Sequence, residues 1–206
     1  VAISATLWQV RSSLLYGDPP ILLAEFGVET ITTDGTTTNA IISPDGRNLV
    51  YTRGFGSDRS SLWMRQLDSG NNLELIPPSA DTYYGLAFSP DGADVYFVRG
   101  PGKPSQHDIY RISVFGGIPT KIVSGSEGRI SLTPDGKTIS FVRCLQRDDE
   151  YCSLITADTA DGGNERKLVS FPAPITIMGN HISPDGGTIA FAHGQATTGS
   201  NDFVLS

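Results

Sequence analysis

The chain is poor in the residue types that build metal and redox centres. Its 206 residues include three His, two Cys and two Met. Cys144 and Cys152 stand eight apart with no second ligand pair nearby, a spacing that fits neither a zinc site nor a C-x-x-C redox motif. There is no H-E-x-x-H, P-loop, dinucleotide fingerprint or EF-hand loop. A nucleophile elbow is missing too, because the glycines of Ser124-Gly125-Ser126-Glu127-Gly128 are out of register with G-x-S-x-G. The expectation is therefore no catalytic residue, no metal ligand and no cofactor site. Positive charge is also short. Fifteen Lys and Arg face 22 Asp and Glu, for a net charge of −7, and no basic stripe with interleaved aromatics occurs. That balance argues against a nucleic-acid partner through this segment. No apolar run is long enough to cross a bilayer as it stands.

What the chain has in quantity is turns, with 23 Gly and 13 Pro dispersed along it. Four of them repeat one motif: Ser43-Pro44-Asp45-Gly46, Ser89-Pro90-Asp91-Gly92, Thr133-Pro134-Asp135-Gly136 and Ser183-Pro184-Asp185-Gly186. Pro presets φ, Asp can bond its own backbone, and Gly takes the left-handed position. The flanks repeat in phase. The third and fifth residues after each Gly are Leu49/Tyr51, Val95/Phe97, Ile139/Phe141 and Ile189/Phe191, and the seventh is Arg53, Arg99, Arg143 and then His193. The alternate positions are also largely apolar, as in strands covered on both faces.

A short strand precedes each turn, and a third strand follows each hairpin: 61–67, 108–114, 153–159 and 202–206. A glycine turn then leads to a fourth strand in three copies, at 74–77, 120–123 and 166–169. Four antiparallel strands every 44–50 residues define a β-propeller blade. The fold expected is all-β: three full blades (about 39–77, 84–124 and 129–170) plus a partial fourth (179–206), as a fragment of a larger propeller. Within the repeat region 21–206, Glu29–Thr32 aligns with the fourth strands. It is expected to be a lone outer strand that either closes a small four-bladed ring or belongs to a larger one. Residues 1–20 read as a tail and linker, with Val1–Val10 resembling either the last turns of a membrane helix, Trp8 at interface depth, or a short surface end.

Few residues stand out as ligand contacts. Tyr83 and Tyr84 precede an inner strand and are placed at a rim, and His181, on an inner strand, at the central channel or a blade interface. His107 is expected in a solvated loop, His193 at a surface strand end, and Asp148-Asp149-Glu150 at a solvated loop tip. Asp45, Asp91, Asp135 and Asp185 are expected to serve their own turns. Cys144 ends a second strand and Cys152 begins a third, so the hairpin sets the two thiols opposite each other within disulfide reach. A bridge there implies an oxidising, extracytoplasmic compartment, whereas two free thiols would fit the cytosol.

These repeats resemble TolB-type β-propellers from about residue 21 to 206. The strings 61–67, Ile76-Pro77-Pro78, 84–92 and Val114-Phe115-Gly116-Gly117-Ile118-Pro119 are similar to the C-terminal propellers of bacterial membrane-anchored regulators. In those proteins a cytoplasmic serine/threonine kinase or a CadC-like winged-helix domain precedes one membrane helix. The resemblance implies a non-catalytic, extracytoplasmic binding or sensory module in a signalling or transcriptional regulator. Such a module takes a protein, peptide or small ligand at the rim and is anchored through an upstream helix. The alternatives are the propeller of a prolyl-oligopeptidase-like serine peptidase and a periplasmic TolB-like scaffold.

Overall fold

A computed structural model describes residues 30–32, 35–55, 59–101, 107–144, 151–197 and 200–205. The chain divides into two units, 1–33 and 34–206. Of the first, only 30–32 are described, and they form no strand. The possible membrane-helix end at Val1–Val10, Glu29 of the expected lone strand, and Asp148–Glu150 all lie outside the described residues.

The second unit is a partial β-propeller. Blade 1 holds β1 (Thr37–Ile42), β2 (Asn48–Phe55), β3 (Arg59–Gln66) and β4 (Asn72–Ser79). Blade 2 holds β5 (Asp81–Phe88), β6 (Asp94–Pro101), β7 (Asp108–Ser113) and β8 (Thr120–Ser124). Blade 3 holds β9 (Glu127–Leu132), β10 (Thr138–Cys144), β11 (Tyr151–Asp158) and β12 (Arg166–Pro172). The fourth sheet has three strands among the described residues, β13 (Ile175–Ile182), β14 (Ile189–Thr197) and β15 (Ser200–Leu205). Each sheet runs antiparallel in chain order, so β2, β6, β10 and β14 are paired on both sides.

The repeated turn is one hydrogen-bonded unit built four times. The Ser or Thr hydroxyl donates to the Asp Oδ1 at 2.5–2.6 Å. That oxygen also accepts the backbone N–H two residues on, at 2.9–3.1 Å. The same hydroxyl accepts the amide five residues on, where the next strand starts, at 2.9–3.0 Å. Pro and Gly do more than shape the turn. A Cβ on Gly136 would lie 3.1 Å from Pro90 Cδ, and one on Gly186 would lie 3.2 Å from Pro134 Cδ. The prolines of the second and third turns therefore seat on the bare glycine of the next blade's turn, while Pro44 Cδ stands farther, 3.8 Å from the Cβ position of Gly92.

The seventh-position cations also act between strands and blades. Arg143 donates to the carbonyls of Gly125 and Ser124, both at 2.8 Å, and pairs with Glu165 through two 2.8 Å bonds. It thereby grips the link from blade 2 into blade 3. Arg99 pairs with Asp81, where blade 2 begins. In blade 4 the position is His193, expected at a surface strand end. Its ring instead stacks on Phe171 of blade 3, with centroids 4.3 Å apart and 16° between planes. Stacking takes the place of the ion pair because Phe171, near the end of β12, presents an aromatic face at that point.

Three apolar clusters fill the spaces between the sheets. Val50, Leu62 and Met64 meet Val95, Phe97 and Ile112; Tyr96, Val98 and Ile109 meet Ile139, Phe141 and Ile155; Val142 and Leu154 meet Ile177, Ile189 and Phe191. The core is thus a series of sheet-to-sheet layers.

Candidate functional site

The inner strands β1, β5, β9 and β13 each carry extra residues relative to their partners, so each bulges at about the same height. A bulge bends its strand and re-aims the side chains around it. Gly85 shows why one bulge needs glycine: its φ is +48°, and a Cβ there would lie 2.3 Å from the carbonyl oxygen of Gly128 on the next blade.

Segments of all four inner strands line one cavity of about 760 Å³, in the range of small-ligand and peptide sites. Its walls are mixed. Ile41, Ile42, Leu86, Phe88 and Leu132 supply apolar surface, while Asn39, Arg129 and His181 supply polar groups. Ile42 is more than half exposed although large and apolar. Asn39 and Arg129 hold the same repeat position, five residues before the turn proline, and Gly85 and Gly179 hold it in the other blades. A Cβ on Gly179 would sit 3.6 Å from Arg129 Cδ, so the Arg129 side chain lies across that glycine. Among the described residues its guanidinium makes no ion pair.

The blade 3–4 wall is tied by polar side chains. Asn180 is buried, accepts the Ser140 hydroxyl and donates to the Arg129 carbonyl at 2.9 Å. The Ser131 hydroxyl accepts the Ile182 amide at 3.0 Å. Asn180 therefore holds the backbone from which Arg129 enters the cavity, a positioning role that spacing alone did not reveal. Alignment of the four inner strands would have shown it, since the position reads Ala40, Leu86, Ile130 and then Asn180.

Of the residues expected at the rim or channel, His181 lines the cavity and the two tyrosines do not. Tyr83 is a correction: it is 4% exposed, packs its ring 5.8 Å from Phe97, and belongs to the blade 1–2 core. The two tyrosines are successive residues of a strand, and alternation turns one of them inward. Tyr84 is the outward one, with its ring edge-on to His107 at 5.0 Å. His107 is a second correction. It is 5% exposed, not solvated, because its Nε2–H donates to the Pro101 carbonyl at 3.1 Å and Tyr84 covers its ring.

The turn aspartates pair with their own turns and not with one another. The Ser or Thr hydroxyl, followed by the backbone amide, holds each carboxyl below its ordinary value of 3.8. Glu127 moves the other way, because burial at the start of β9 raises it. Cys144 and Cys152 are a register pair at the mouth of the β10–β11 hairpin, with Cα atoms 4.1 Å apart and the two sulfurs in contact. The Ile177 amide points at Cys152 Sγ from blade 4 at 3.2 Å. Among the described residues no three His, Cys, Asp or Glu side chains gather as a metal site, and no helix is long and apolar enough to cross a membrane.

No family model matches the chain, and no curated protein matches it. Solved structures do share its fold. TolB from Acinetobacter baumannii superposes with a TM-score of 0.63 at 20% identity, over 82% of this chain and 40% of that one. An oligogalacturonate lyase in complex with manganese gives 0.61 at 15% identity, over 85% of this chain and 52% of that one. Prolyl oligopeptidase B from Galerina marginata gives 0.60 at 16% identity, over 82% and 28%. The fold is the β-propeller, which TolB shares. The chain spans from under a third to about half the length of these proteins.

Proposed function

We propose that this chain is a binding propeller without catalytic activity of its own, serving as the extracytoplasmic sensory or protein-interaction module of a membrane-anchored regulator. One observation carries the reading: segments of four inner strands converge on a mixed cavity that holds exposed aliphatic surface and a guanidinium making no ion pair among the described residues. Sheets of this kind act as a rigid frame, and binding falls to the groups they present where the blades converge. Arg129 and Asn39 are the groups that select an occupant, and Ile42, Leu86 and Phe88 supply its apolar contact. The facing cysteines support an oxidising compartment. The peptidase-propeller reading rests on fold likeness alone, which does not carry activity.

The test places a photocrosslinking amino acid at Ile42, in the cavity wall, or at Leu168, on an outer strand, in the full-length protein in its own cells. An extracytoplasmic protein captured from position 42 and not from 168 is the expected result. Equal capture from both positions, or none from 42, sinks the cavity as the binding site. Hydrolysis of a proline-containing chromogenic peptide by the purified chain would overturn the non-catalytic assignment.

A further inference from the structure

The turn between β7 and β8 departs from its counterparts. In blade 1 that turn reads Asp68-Ser69-Gly70-Asn71 and in blade 3 Asp161-Gly162-Gly163-Asn164, polar in both. In blade 2 it reads Phe115-Gly116-Gly117-Ile118, and both apolar side chains stand in solvent, Phe115 at 84% exposure and Ile118 at 93%. The fold does not need them. Ser113 holds the turn: its carbonyl accepts the Gly116 amide at 2.9 Å, and its hydroxyl accepts the Phe115 amide at 3.3 Å. Gly116 and Gly117, at φ +87° and +118°, pin it in a conformation that side-chain-bearing residues rarely adopt. Two large apolar side chains on one pinned turn form an interaction anchor, unlike single scattered ones.

A cleft of about 390 Å³ lies beside Phe115 between blades 1 and 2. Met64 and Val114, both buried, lie along it, and Asp45, Arg47 and Asp68 are on its rim. In an up-and-down blade the first-to-second and third-to-fourth turns fall at one end of the sheet. In the described structure those turns expose six aspartates, at 45, 68, 91, 135, 161 and 185, against two cations, Arg47 and Lys137. Such a face repels an anionic lipid surface, and it repels its own copy.

We propose that this turn face is a second docking surface, separate from the inner cavity, for a polypeptide segment that presents an apolar side chain flanked by lysine or arginine. The apolar side chain enters the cleft against Phe115, with Ile118 exposed on the same turn to extend the apolar contact outside it, and the flanking cations meet Asp45 and Asp68.

The probe is a fluorescent lysine-flanked Leu-Trp-Leu peptide, with its glutamate-flanked twin as control, titrated into the full-length protein. The expected result is saturable binding of the lysine peptide that weakens as salt rises, with amide shifts at 113–120 and 45–48. Binding should fall at least tenfold in F115S/I118N. That variant makes the blade 2 turn polar, as its counterparts in blades 1 and 3 are, and an unchanged thermal midpoint would confirm that it folds. Equal binding of the glutamate peptide overturns the proposal, as does indifference to F115S/I118N. Shifts confined to residues 39–42, 86–88 and 129–132 would assign the peptide to the inner cavity and overturn it too. So would Phe115-dependent binding to anionic vesicles, or self-association lost in the variant, since each names a different occupant.

Discussion

The blade 2–3 and blade 3–4 interfaces share their turns, their strand order and a bulged inner strand, yet they are filled with different chemistry. At the first, Tyr96 and Ile130 belong to one apolar cluster. At the second, the equivalent residues are Ser140 and Asn180, and they hydrogen-bond. The exchange is concerted. A small hydroxyl on β10 leaves room that the amide on β13 fills, and the amide's second arm reaches the Arg129 carbonyl. A buried polar pair contributes little net stability while satisfied, but leaving one member alone carries the full cost of desolvation. The difference teaches that the repeat sets where two blades touch, while the side-chain pair at each contact sets how. The polar solution appears where the backbone behind Arg129 must be held.

Four measurements break or sharpen this comparison, from the largest effect to the smallest. Phe141→Ala empties the centre of the apolar interface, where the ring is fully buried. Chemical denaturation should show a loss of about 3–5 kcal/mol, and a loss no greater than that of a surface substitution would remove the apolar interface from the account. Next comes the sulfur pair beside blade 4. A bridge closing so short a loop contributes roughly 2.5 kcal/mol on the chain-entropy estimate, so reduction should lower stability by about that much. Two thiols titrating in the unfolded, unreduced protein would show that no bridge forms. Asn180→Leu should cost about 1–2 kcal/mol, because the Arg129 carbonyl loses its amide donor and the Ser140 hydroxyl keeps only the Ser131 carbonyl, at 3.3 Å. Adding Ser140→Val should recover at least half, as an apolar pair replaces a broken polar one. If the double variant is worse than the single one, the two interfaces are not interchangeable.

The smallest effect concerns what the interfaces share. The four turn carboxyls have folded pKa values below the ordinary 3.8. Their contribution is therefore fully present above about pH 3.8 and is lost as pH falls through the lowered values. Glu165, held down by its bond from Arg143, has the same sign. Glu127, raised by burial, has the opposite one, being stabilising below its ordinary 4.5 and losing that contribution as pH rises through its raised value. Thermal midpoints between pH 2 and 6 should fall on the acid side, and Asp→Asn at positions 45, 91, 135 and 185 should flatten that fall. An unchanged slope would mean that the turns do not depend on ionised aspartate.

Much of the fold was legible because its signals are local. A Ser-Pro-Asp-Gly turn satisfies itself within six residues, and alternation identifies strands covered on both faces, so blade architecture follows from repetition alone. What the sequence did not disclose is which of two successive residues faces inward, as with Tyr83 and Tyr84. A one-residue offset reverses every side chain, and bulges set that offset. Nor did it disclose that His107 is covered, since burial depends on Tyr84 from another strand. The amino-acid sequence by itself determined the turns, the strands and the blade period, because each is held by bonds between near neighbours. Only the tertiary structure decided that Pro90 and Pro134 seat on the next blade's turn glycine, that Asn180 holds Arg129 at the cavity, and that Phe115 and Ile118 stay uncovered. Those outcomes depend on groups roughly 40–50 residues apart, a separation set by the blade repeat, and packing alone brings such groups together.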